Sequence, residues 1–253
     1  MASPYRFVPL LSPTYRVVRR FTNEYLYSGG RVACPLCERT FRSWVGGLQH
    51  GLCPYCRSAA RHRLLWLYLA EDWKAPPATR DLLHLAPEWG LQRRFRKDPR
   101  LARYVTADKS APEADVHTDI TAMTFADGHF DAIVCCHVLE LIPDDRAAMR
   151  EMVRVLRPGG VAYIQIPFAK ENPQTDEDPS ITDPRERERR FGEFDHVRVY
   201  GRDITDRLYD SGFSVTQVWA SEILDADQMT RWGLWDDVIF RCERSDGKID
   251  RVS

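Results

Sequence analysis

The patterns of a strand, a turn and a helix start follow one another in Leu82-Leu83-His84-Leu85-Ala86-Pro87-Glu88-Trp89-Gly90. Its first four residues have the pattern of a buried strand, and the proline and glycine that follow predict a tight turn before a helix that begins near Leu91. An open α/β sheet binds an adenosyl cofactor at such a strand, turn and helix. The stretch therefore predicts both the fold class and the place of a binding site.

Short apolar strands and amphipathic helices alternate along the rest of the chain. This alternation predicts a largely parallel sheet with helices on both faces. The helix after Pro143 has the clearest pattern, because Asp144 and Asp145 can cap its start and Pro158-Gly159-Gly160 is expected to end it. The predicted strands are 82–85, 104–107, 131–136, 161–166, 213–219 and 238–242, with a further short one near Val116, and another helix is predicted over 203–211.

An acidic residue, Asp108, ends the strand that follows the turn. It stands eighteen positions after Gly90, in the arrangement that holds ribose hydroxyls. The turn lacks the G-x-G-x-x-G pattern, and Glu88 would place a carboxylate where the pyrophosphate of NAD or FAD must approach. S-adenosylmethionine has no phosphate and bears a sulfonium cation, so a carboxylate is compatible with it. The alternatives are a surface acid for Asp108 and a helix N-terminal acid for Glu88.

Four of the seven cysteines form two pairs, Cys34-Pro-Leu-Cys37 and Cys53-Pro-Tyr-Cys56, which are separated by fifteen residues. Each C-x2-C pair can bend around one side of a tetrahedral ion, so the spacing predicts a structural zinc site with Cys34, Cys37, Cys53 and Cys56 as ligands. The surrounding segment has too few aliphatic residues for a core of its own. Metal binding would supply the folding free energy that this segment lacks.

Two alternatives to this zinc site remain open. The pairs could be redox-active dithiols, and His50 or His62 could replace one cysteine as a ligand. The other three cysteines, Cys135, Cys136 and Cys242, fall in predicted strands, where a cysteine is usually a small buried hydrophobe.

Three segments are predicted along the 253 residues: a helical N-terminal extension (1–30), the four-cysteine zinc module (31–62) and a Rossmann-like domain (63–253). A polar insertion at 168–198 is either a lid over the acceptor or a solvated loop.

The net charge of −1 gives no overall positive field that would draw the chain to nucleic acid. No secretory signal or membrane-length apolar stretch is found, so a cytoplasmic protein without membrane association is expected, and its oligomeric state is not predicted.

Three further stretches strongly resemble successive motifs of class I S-adenosylmethionine-dependent methyltransferases, especially the type 11 group. They are Asp119-Ile120-Thr121-Ala122-Met123-Thr124-Phe125, Phe130-Asp131-Ala132-Ile133-Val134-Cys135-Cys136-His137-Val138-Leu139-Glu140 and Arg154-Val155-Leu156-Arg157-Pro158-Gly159-Gly160. The resemblance covers about Leu82 to Cys242. It implies a Rossmann-like sheet of seven strands, mostly parallel with the last one reversed. With the cysteine pairs and Arg61-His62-Arg63, the chain also resembles a bacterial subgroup of zinc-bearing methyltransferase-domain proteins.

The sequence departs from the family at its first motif. His84, Ala86 and Glu88 stand in place of an acid and two glycines, and only Gly90 is retained. The resemblance implies the following contacts by matching position: Gly90 and its turn, with Ala86 and Glu88, approach the methionine part of the cofactor; Asp108 approaches the ribose; Asp119 and Ile120 approach the adenine; Cys136 and His137 lie near the reacting methyl group.

Two histidines, His137 and His196, are candidate catalytic bases for an acceptor that must lose a proton, because histidine transfers protons near neutral pH. Arg198 and Tyr200 are candidate acceptor contacts, and Glu140 is expected to support the turn after its strand. The leading hypothesis is a methyltransferase for a small molecule or metabolite. The alternatives are an RNA methyltransferase that uses the zinc module for recognition, and a non-catalytic zinc and nucleoside-binding module.

Overall fold

The computed structural model describes residues 22–47, 51–74 and 80–245. These residues form two compact units, neither of which is continuous in sequence. The cysteine unit combines the described residues up to 74 with 88–97 and 219–238, and the sheet unit combines 80–87, 98–218 and 239–245. The three segments expected from the sequence, 1–30, 31–62 and 63–253, stay predictions, and most of the expected N-terminal helix lies outside the described residues.

The elements are numbered in chain order. The strands are β1 (Ser28–Cys34), β2 (Arg39–Phe41), β3 (Arg80–Leu85), β4 (Leu101–Asp108), β5 (Val116–His117), β6 (Phe130–Cys136), β7 (Leu156–Gln165), β8 (Asp176–Glu177), β9 (Arg198–Val199), β10 (Phe213–Trp219) and β11 (Val238–Arg244). The helices are α1 (Ala60–Asp72), α2 (Trp89–Phe95), α3 (Asp145–Val155), α4 (Pro184–Phe191), α5 (Ile204–Asp210), α6 (Ala220–Ile223) and α7 (Ala226–Trp232). Across the described ranges, no helix is long and apolar enough to cross a membrane.

Seven strands form one sheet in the order β10-β11-β7-β6-β3-β4-β5. β3 pairs in parallel with β4 and β6, and β6 pairs in parallel with β7. β11 runs antiparallel to β7, so the expected reversed last strand is present. The central strands are nearly continuous runs of buried apolar residues, as a parallel sheet covered on both faces requires. The Rossmann-like α/β fold with helices is therefore confirmed.

The boundary between α3 and β7 differs from the expectation. α3 begins as expected, with the Asp144 side chain accepting a hydrogen bond from the Ala147 N–H (2.9 Å), but it ends at Val155. β7 starts at once, because Leu156 already pairs with Phe130 of β6. The register shifts between this pair and the next, which accommodates the Pro-Gly-Gly stretch inside the strand. Gly29 and Gly30 also lie in a strand, β1, although the helical N-terminal extension was expected to reach residue 30.

The polar insertion at 168–198 is folded and is not an open loop. β8 pairs antiparallel with β9, and α4 begins after Asp183, whose side chain accepts hydrogen bonds from the N–H groups of Arg185 and Glu186. Each of these contacts satisfies a backbone donor that the start of a helix leaves unpaired. The insertion therefore has secondary structure of its own.

Ion pairs of two buried arginines fix the base of this insertion. Glu177 accepts hydrogen bonds of 2.8 Å from Arg207 and from Arg198, and Arg207 with Arg198 lowers the pKa of Glu177 to about 2. Asp145, expected to help cap α3, is buried and accepts hydrogen bonds from Arg207 (3.1 Å) and from the Tyr200 hydroxyl (2.9 Å). Burial raises the pKa of Tyr200 well above its usual range, which keeps this hydroxyl protonated. Arg198 and Tyr200 thus support the insertion and are not exposed acceptor contacts.

The cysteine unit is built around a buried arginine, Arg63. Its guanidinium donates hydrogen bonds to the carbonyl groups of Ser58 (2.7 Å), Trp232 (2.7 Å) and Gly233 (2.9 Å) and lies 4.0 Å from the ring centroid of Trp44. Carbonyl groups and an aromatic face replace the water that a charged group loses on burial. One side chain therefore joins the segment after the cysteines to the end of α7.

Candidate cofactor, metal and catalytic sites

Four sulfur atoms lie together in the cysteine unit. Sγ of Cys34 is 3.6 Å from Sγ of Cys56, Sγ of Cys37 is 3.6 Å from Sγ of Cys53, and all four lie within 4.8 Å of one another. A tetrahedral zinc ion with Zn–S bonds of about 2.3 Å separates its sulfurs by about 3.8 Å. None of the four is in a disulfide. The cluster therefore fits zinc in ligand chemistry, number and spacing.

Both C-x2-C pairs adopt the same turn. The N–H of Glu38 donates to the Cys34 carbonyl (2.8 Å), and the N–H of Arg57 donates to the Cys53 carbonyl (3.0 Å). Each residue after the second cysteine has a left-handed backbone, with φ of 61° at Glu38 and 62° at Arg57. Such a φ is costly for residues other than glycine, so it persists only where the surrounding structure imposes it.

Ser58 joins the two cysteine turns. Its buried hydroxyl lies 3.3 Å from Sγ of Cys34 and 3.3 Å from Sγ of Cys56. Hydrogen bonds from neighbouring cysteines, Cys37 first, lower the pKa of the Cys34 thiol, whereas burial raises the pKa of the Cys53 thiol. A hydroxyl that donates to ligand thiolates orients them around a metal. Sequence reasoning missed Ser58, although its place two residues after the last cysteine was visible.

Glu88 and Gly90, two of the expected cofactor residues, belong to the cysteine unit. The Ala59 N–H donates to Nδ1 of His62 (3.2 Å), so Nε2 carries the proton of the neutral ring and lies 3.1 Å from Oε1 of Glu88. His62 is therefore a neighbour of Glu88 and not a member of the cysteine cluster. A Cβ atom on Gly90 would lie only 3.2 Å from the Cys56 carbonyl oxygen, so α2 begins directly against the second cysteine turn.

The other expected ligand, His50, lies outside the described residues. Ala86, Asp108, Cys136 and His137 all follow or end neighbouring parallel strands of the sheet unit. Because the carboxyl ends of parallel strands share one edge, the fold brings these residues to the same edge of the sheet.

Asp108 ends β4 at this edge. Its Oδ1 accepts hydrogen bonds from the N–H groups of Ser110 and Ala111, both at 2.7 Å. Its Oδ2 has no hydrogen-bond partner within the parts of the chain that the structure describes. The turn therefore orients the carboxylate and leaves one oxygen available to a ligand hydroxyl.

Asp119 is held by its own loop. Oδ1 accepts hydrogen bonds from the N–H (2.9 Å) and hydroxyl (2.7 Å) of Thr121, and Oδ2 lies 2.9 Å from Nζ of Lys109. Lys109 and then Thr121 lower the pKa of Asp119, so it is ionised at neutral pH. The neighbouring Ile120 is buried. Local contacts therefore hold the Asp119 carboxylate in place.

Ala86 adopts a backbone conformation that favours glycine, with φ of 46°, and its N–H donates to the Ala107 carbonyl (2.8 Å). His84, which replaces the acid of the family motif, is buried with a ring nitrogen 2.8 Å from the Tyr104 hydroxyl. The turn after β3 is therefore a left-handed turn formed without glycine, and His84 serves packing.

The two candidate bases lie near the same carboxylate oxygen. Nδ1 of His137 is 3.1 Å from Oε1 of Glu140, and Nε2 of His196 is 4.0 Å from the same oxygen. The Glu140 side chain is fully buried, whereas that of His137 is 27% exposed and that of His196 12%. The Glu140 carbonyl accepts a hydrogen bond from Val197 (2.9 Å), which agrees with the expected supporting role. The sequence did not predict that the Glu140 carboxylate lies near both histidines, because His196 is far from Glu140 in sequence.

The bend after β6 sets the direction of His137. Its φ is 55°, and its N–H donates to the Gln165 carbonyl (2.8 Å) of β7. Cys136, the last residue of β6, is buried with Sγ 3.6 Å from Oε1 of Gln165. Strained residues at a strand end are typical of functional sites.

Part of the chain is similar to known methyltransferases. Residues 96–164 match the family described as a methyltransferase domain. The chain is 41% identical over 51 residues to an arsenite methyltransferase of Aquipseudomonas alcaligenes, and 50% identical over 42 residues to a demethylmenaquinone methyltransferase of Mycolicibacterium vanbaalenii. These matches cover 20% and 17% of this chain, and only 15% and 18% of the lengths of the two relatives.

A solved structure has the same fold. It is the 1,6-didemethyltoxoflavin-N1-methyltransferase of Burkholderia thailandensis with bound 1,6-didemethyltoxoflavin and S-adenosylhomocysteine. It is 12% identical to this chain, with a TM-score of 0.51 over 74% of this chain and 79% of that one. The sheet order is therefore that of a solved class I methyltransferase fold, and residues 96–164 are similar to the methyltransferase-domain family. The resemblance to the type 11 group and the presence of a four-cysteine cluster are thereby confirmed.

Proposed function

We propose that this protein is an S-adenosylmethionine-dependent methyltransferase whose acceptor is a small molecule or metabolite. The observation that carries the proposal is Asp108, at the carboxyl end of the second strand of a class I methyltransferase sheet. Two backbone amides orient its carboxylate, and one oxygen remains for a ribose hydroxyl.

The remaining cofactor contacts are proposed by position. Asp119 and Ile120 would border the adenine, Ala86, Glu88 and Gly90 would approach the methionine part, and Cys136 would lie near the methyl group. The Glu88 carboxylate favours a cationic ligand over a diphosphate. We therefore prefer S-adenosylmethionine to NAD or FAD as the ligand.

The chemistry needs little from the protein. When bound, the cofactor supplies an activated methyl group: the acceptor lone pair bonds to this carbon while the electrons of its bond to sulfur stay on sulfur. The residues of the chain align the acceptor, exclude water and, where necessary, accept a proton. His137 and His196 are the proposed catalytic residues for that proton.

The small-molecule acceptor rests on two observations. The net charge of −1 gives no general attraction for nucleic acid. The relatives described above are named for arsenite and demethylmenaquinone, and the structural neighbour holds 1,6-didemethyltoxoflavin. The cytoplasm remains the compartment that the sequence predicts.

The zinc ion is proposed to be structural. Cys34, Cys37, Cys53 and Cys56 would complete a four-coordinate shell, which leaves no position for a substrate or a reactive water. Its effect on activity would come through α2, which begins against the second cysteine turn. The redox-dithiol alternative predicts reversible disulfide formation without bound metal.

Calorimetric titration tests the cofactor proposal directly. We expect binding heat with S-adenosylmethionine and none with NADH. Asp108→Ala should weaken S-adenosylmethionine binding about tenfold or more, because a hydrogen bond to a charged group is worth about 1.5–3 kcal/mol. Asp108→Asn, which keeps an oxygen to cap the turn, separates loss of the turn from loss of the ligand contact. Unchanged affinity in Asp108→Ala at an unchanged melting temperature would contradict the ribose role.

A specific surface favours RNA as the second candidate acceptor. In the cysteine unit, the guanidinium of Arg39 lies 3.7 Å from the ring centroid of Tyr55. The guanidinium of Arg93, a residue of α2, lies 5.8 Å from the same centroid. Arg93 also lies 5.6 Å from the ring of Trp89, which is 45% exposed. Alternating arginine and aromatic side chains suit single-stranded bases. Salt-sensitive RNA retention with methyl transfer to RNA would favour this candidate over a metabolite; cofactor binding without any turnover would favour the non-catalytic module.

A further inference from the structure

We propose that Glu140 is the positioning residue that makes His137 a general base, and that the acceptor group is a hydroxyl that loses its proton as it is methylated. The inference rests on the proposed function, because it names the acceptor chemistry of the same site. It starts from three side chains of the sheet unit: a buried carboxylate and two imidazoles near one of its oxygens.

The contact between His137 and Glu140 selects one form of the imidazole ring. Oε1 of Glu140 lies 3.1 Å from Nδ1, and neither oxygen of this buried carboxylate has a hydrogen-bond partner among the described residues, so a hydrogen on Nδ1 gives the carboxylate the donor that it lacks. Nε2 then holds the lone pair that can remove a proton. Because the His137 side chain is 27% exposed while Glu140 is fully buried, the carboxylate lies behind the ring and the basic nitrogen can face a ligand.

The second imidazole lies further from the same carboxylate oxygen. Nδ1 of His196 lies 3.2 Å from the Phe191 carbonyl, which can only accept, so this nitrogen carries a hydrogen. The opposite nitrogen, Nε2, lies 4.0 Å from Oε1 of Glu140, which is beyond hydrogen-bond distance. His137 is therefore the ring that the Glu140 carboxylate can position by direct contact.

A dedicated base indicates which acceptor atom the site serves. A neutral amine attacks with a lone pair that it already has, and a thiol is partly ionised near neutral pH without help. A phenolic or enolic hydroxyl is a poor nucleophile until its proton leaves, and general-base catalysis gains most in that case. The hydroxyl proton passes to Nε2 of His137, the oxygen electron pair forms the new bond to the methyl carbon, and the bond from that carbon to sulfur breaks with its electrons on sulfur.

Nuclear magnetic resonance of the full chain labelled with 15N-histidine tests the positioning role without an acceptor. His137→Asn assigns the ring signals of His137. We expect the Nδ1–H form in the native protein and, in Glu140→Gln, a shift towards the Nε2–H form that histidine favours in water. Asp195→Asn is the matched control, since it removes an exposed acid next to His196 and should leave both rings unchanged. A ring of His137 with the same protonated nitrogen in Glu140→Gln and in the native protein would overturn the positioning role.

Methyl transfer from labelled S-adenosylmethionine into a fractionated metabolite extract tests the acceptor class. We expect the label in a methyl ether, and in Glu140→Gln a kcat lower by about 100-fold or more with KM within about threefold of native. Label on sulfur or nitrogen, or an unchanged kcat, would overturn the inference while leaving the methyltransferase proposal intact. Absence of S-adenosylmethionine binding in calorimetry would instead remove the proposed function, so the two failures are distinguishable.

Discussion

The cysteine unit and the sheet unit are stabilised by different forces. The sheet unit buries apolar strands: Ile133 and Val134 of β6 and Ile164 of β7 have no exposed surface. The cysteine unit has polar groups at its centre, namely four sulfurs and the guanidinium of Arg63. Apolar burial stabilises a fold without any ligand, whereas clustered thiolates repel one another unless a cation binds them.

This difference means that the two units should respond to different conditions. The sheet unit needs only its own residues, and its most sensitive part is the ion-pair network beneath the insertion. The cysteine unit needs a metal, and its remaining contacts join residues far apart in sequence. We therefore expect metal removal to destabilise mainly the cysteine unit. We expect acid to destabilise mainly the insertion of the sheet unit.

The largest expected effect is that of metal removal. A chelator, or Cys53→Ser, should abolish hydrogen-exchange protection in β1 and α1 and leave β6 and β7 protected. Zinc binding in small four-ligand modules contributes about 10–16 kcal/mol, which exceeds the stability of a typical domain. Exchange mass spectrometry before and after treatment measures the effect, and metal analysis of the native protein should give about one zinc per chain.

Cys242→Ser is the matched control for this experiment. Cys242 is fully buried in β11 and lies outside the four-cysteine cluster, so its substitution should leave the metal content unchanged. A metal-free preparation in which β1 and α1 keep native protection would contradict the comparison between the two units.

A smaller effect is expected from acid at Glu177. Its folded pKa, about 2, lies below the usual value of 4.5, so its stabilisation is fully present above pH 4.5 and is lost as the pH falls through about 2. Glu177→Gln should lower the free energy of unfolding at pH 7 by about 1–2 kcal/mol, after allowance for solvent screening of a partly exposed carboxylate. The difference between native and variant should shrink steadily between pH 4.5 and 2.

Denaturant titrations across that pH range measure this difference. Glu188→Gln on the exposed face of α4 is the control and should change the free energy of unfolding very little at any pH. A Glu177→Gln effect that is the same at pH 7 and pH 2.5 would show that packing, and not charge, fixes the base of the insertion.

The sheet and the metal ligands could be predicted because their signals are local. Apolar strands such as 131–136 recur with turns between them, and a C-x2-C pair places both ligands in one turn. α3 ends at Val155, before the predicted stop at Pro158-Gly159-Gly160, because Leu156 already pairs with Phe130. Tertiary contacts of this kind leave no trace in a single sequence window.

The contacts that define the candidate site could not be predicted for the same reason. Arg63 meets carbonyl groups 169 and 170 positions away, and His196 meets Glu140 from beyond the insertion. Glu88 was predicted as a cofactor residue from its turn, but its neighbour His62 is brought there by α1. The sequence supplied the residues of the site, and the fold determined which of them lie together.

The smallest expected effect concerns Ala86, at the turn where the chain leaves β3. Its φ of 46° is unfavourable for alanine and free of strain for glycine, so Ala86→Gly relieves strain while adding disorder to the unfolded chain. These opposing terms should leave the protein more stable by less than about 1 kcal/mol. Ala107→Gly, in the extended strand β4, should instead destabilise it, because no strain is relieved there. Thermal unfolding of both variants measures the contrast. Equal destabilisation by the two substitutions would mean that the turn after β3 gains nothing from a glycine, and that the alanine fits the left-handed conformation as well as the family glycine would.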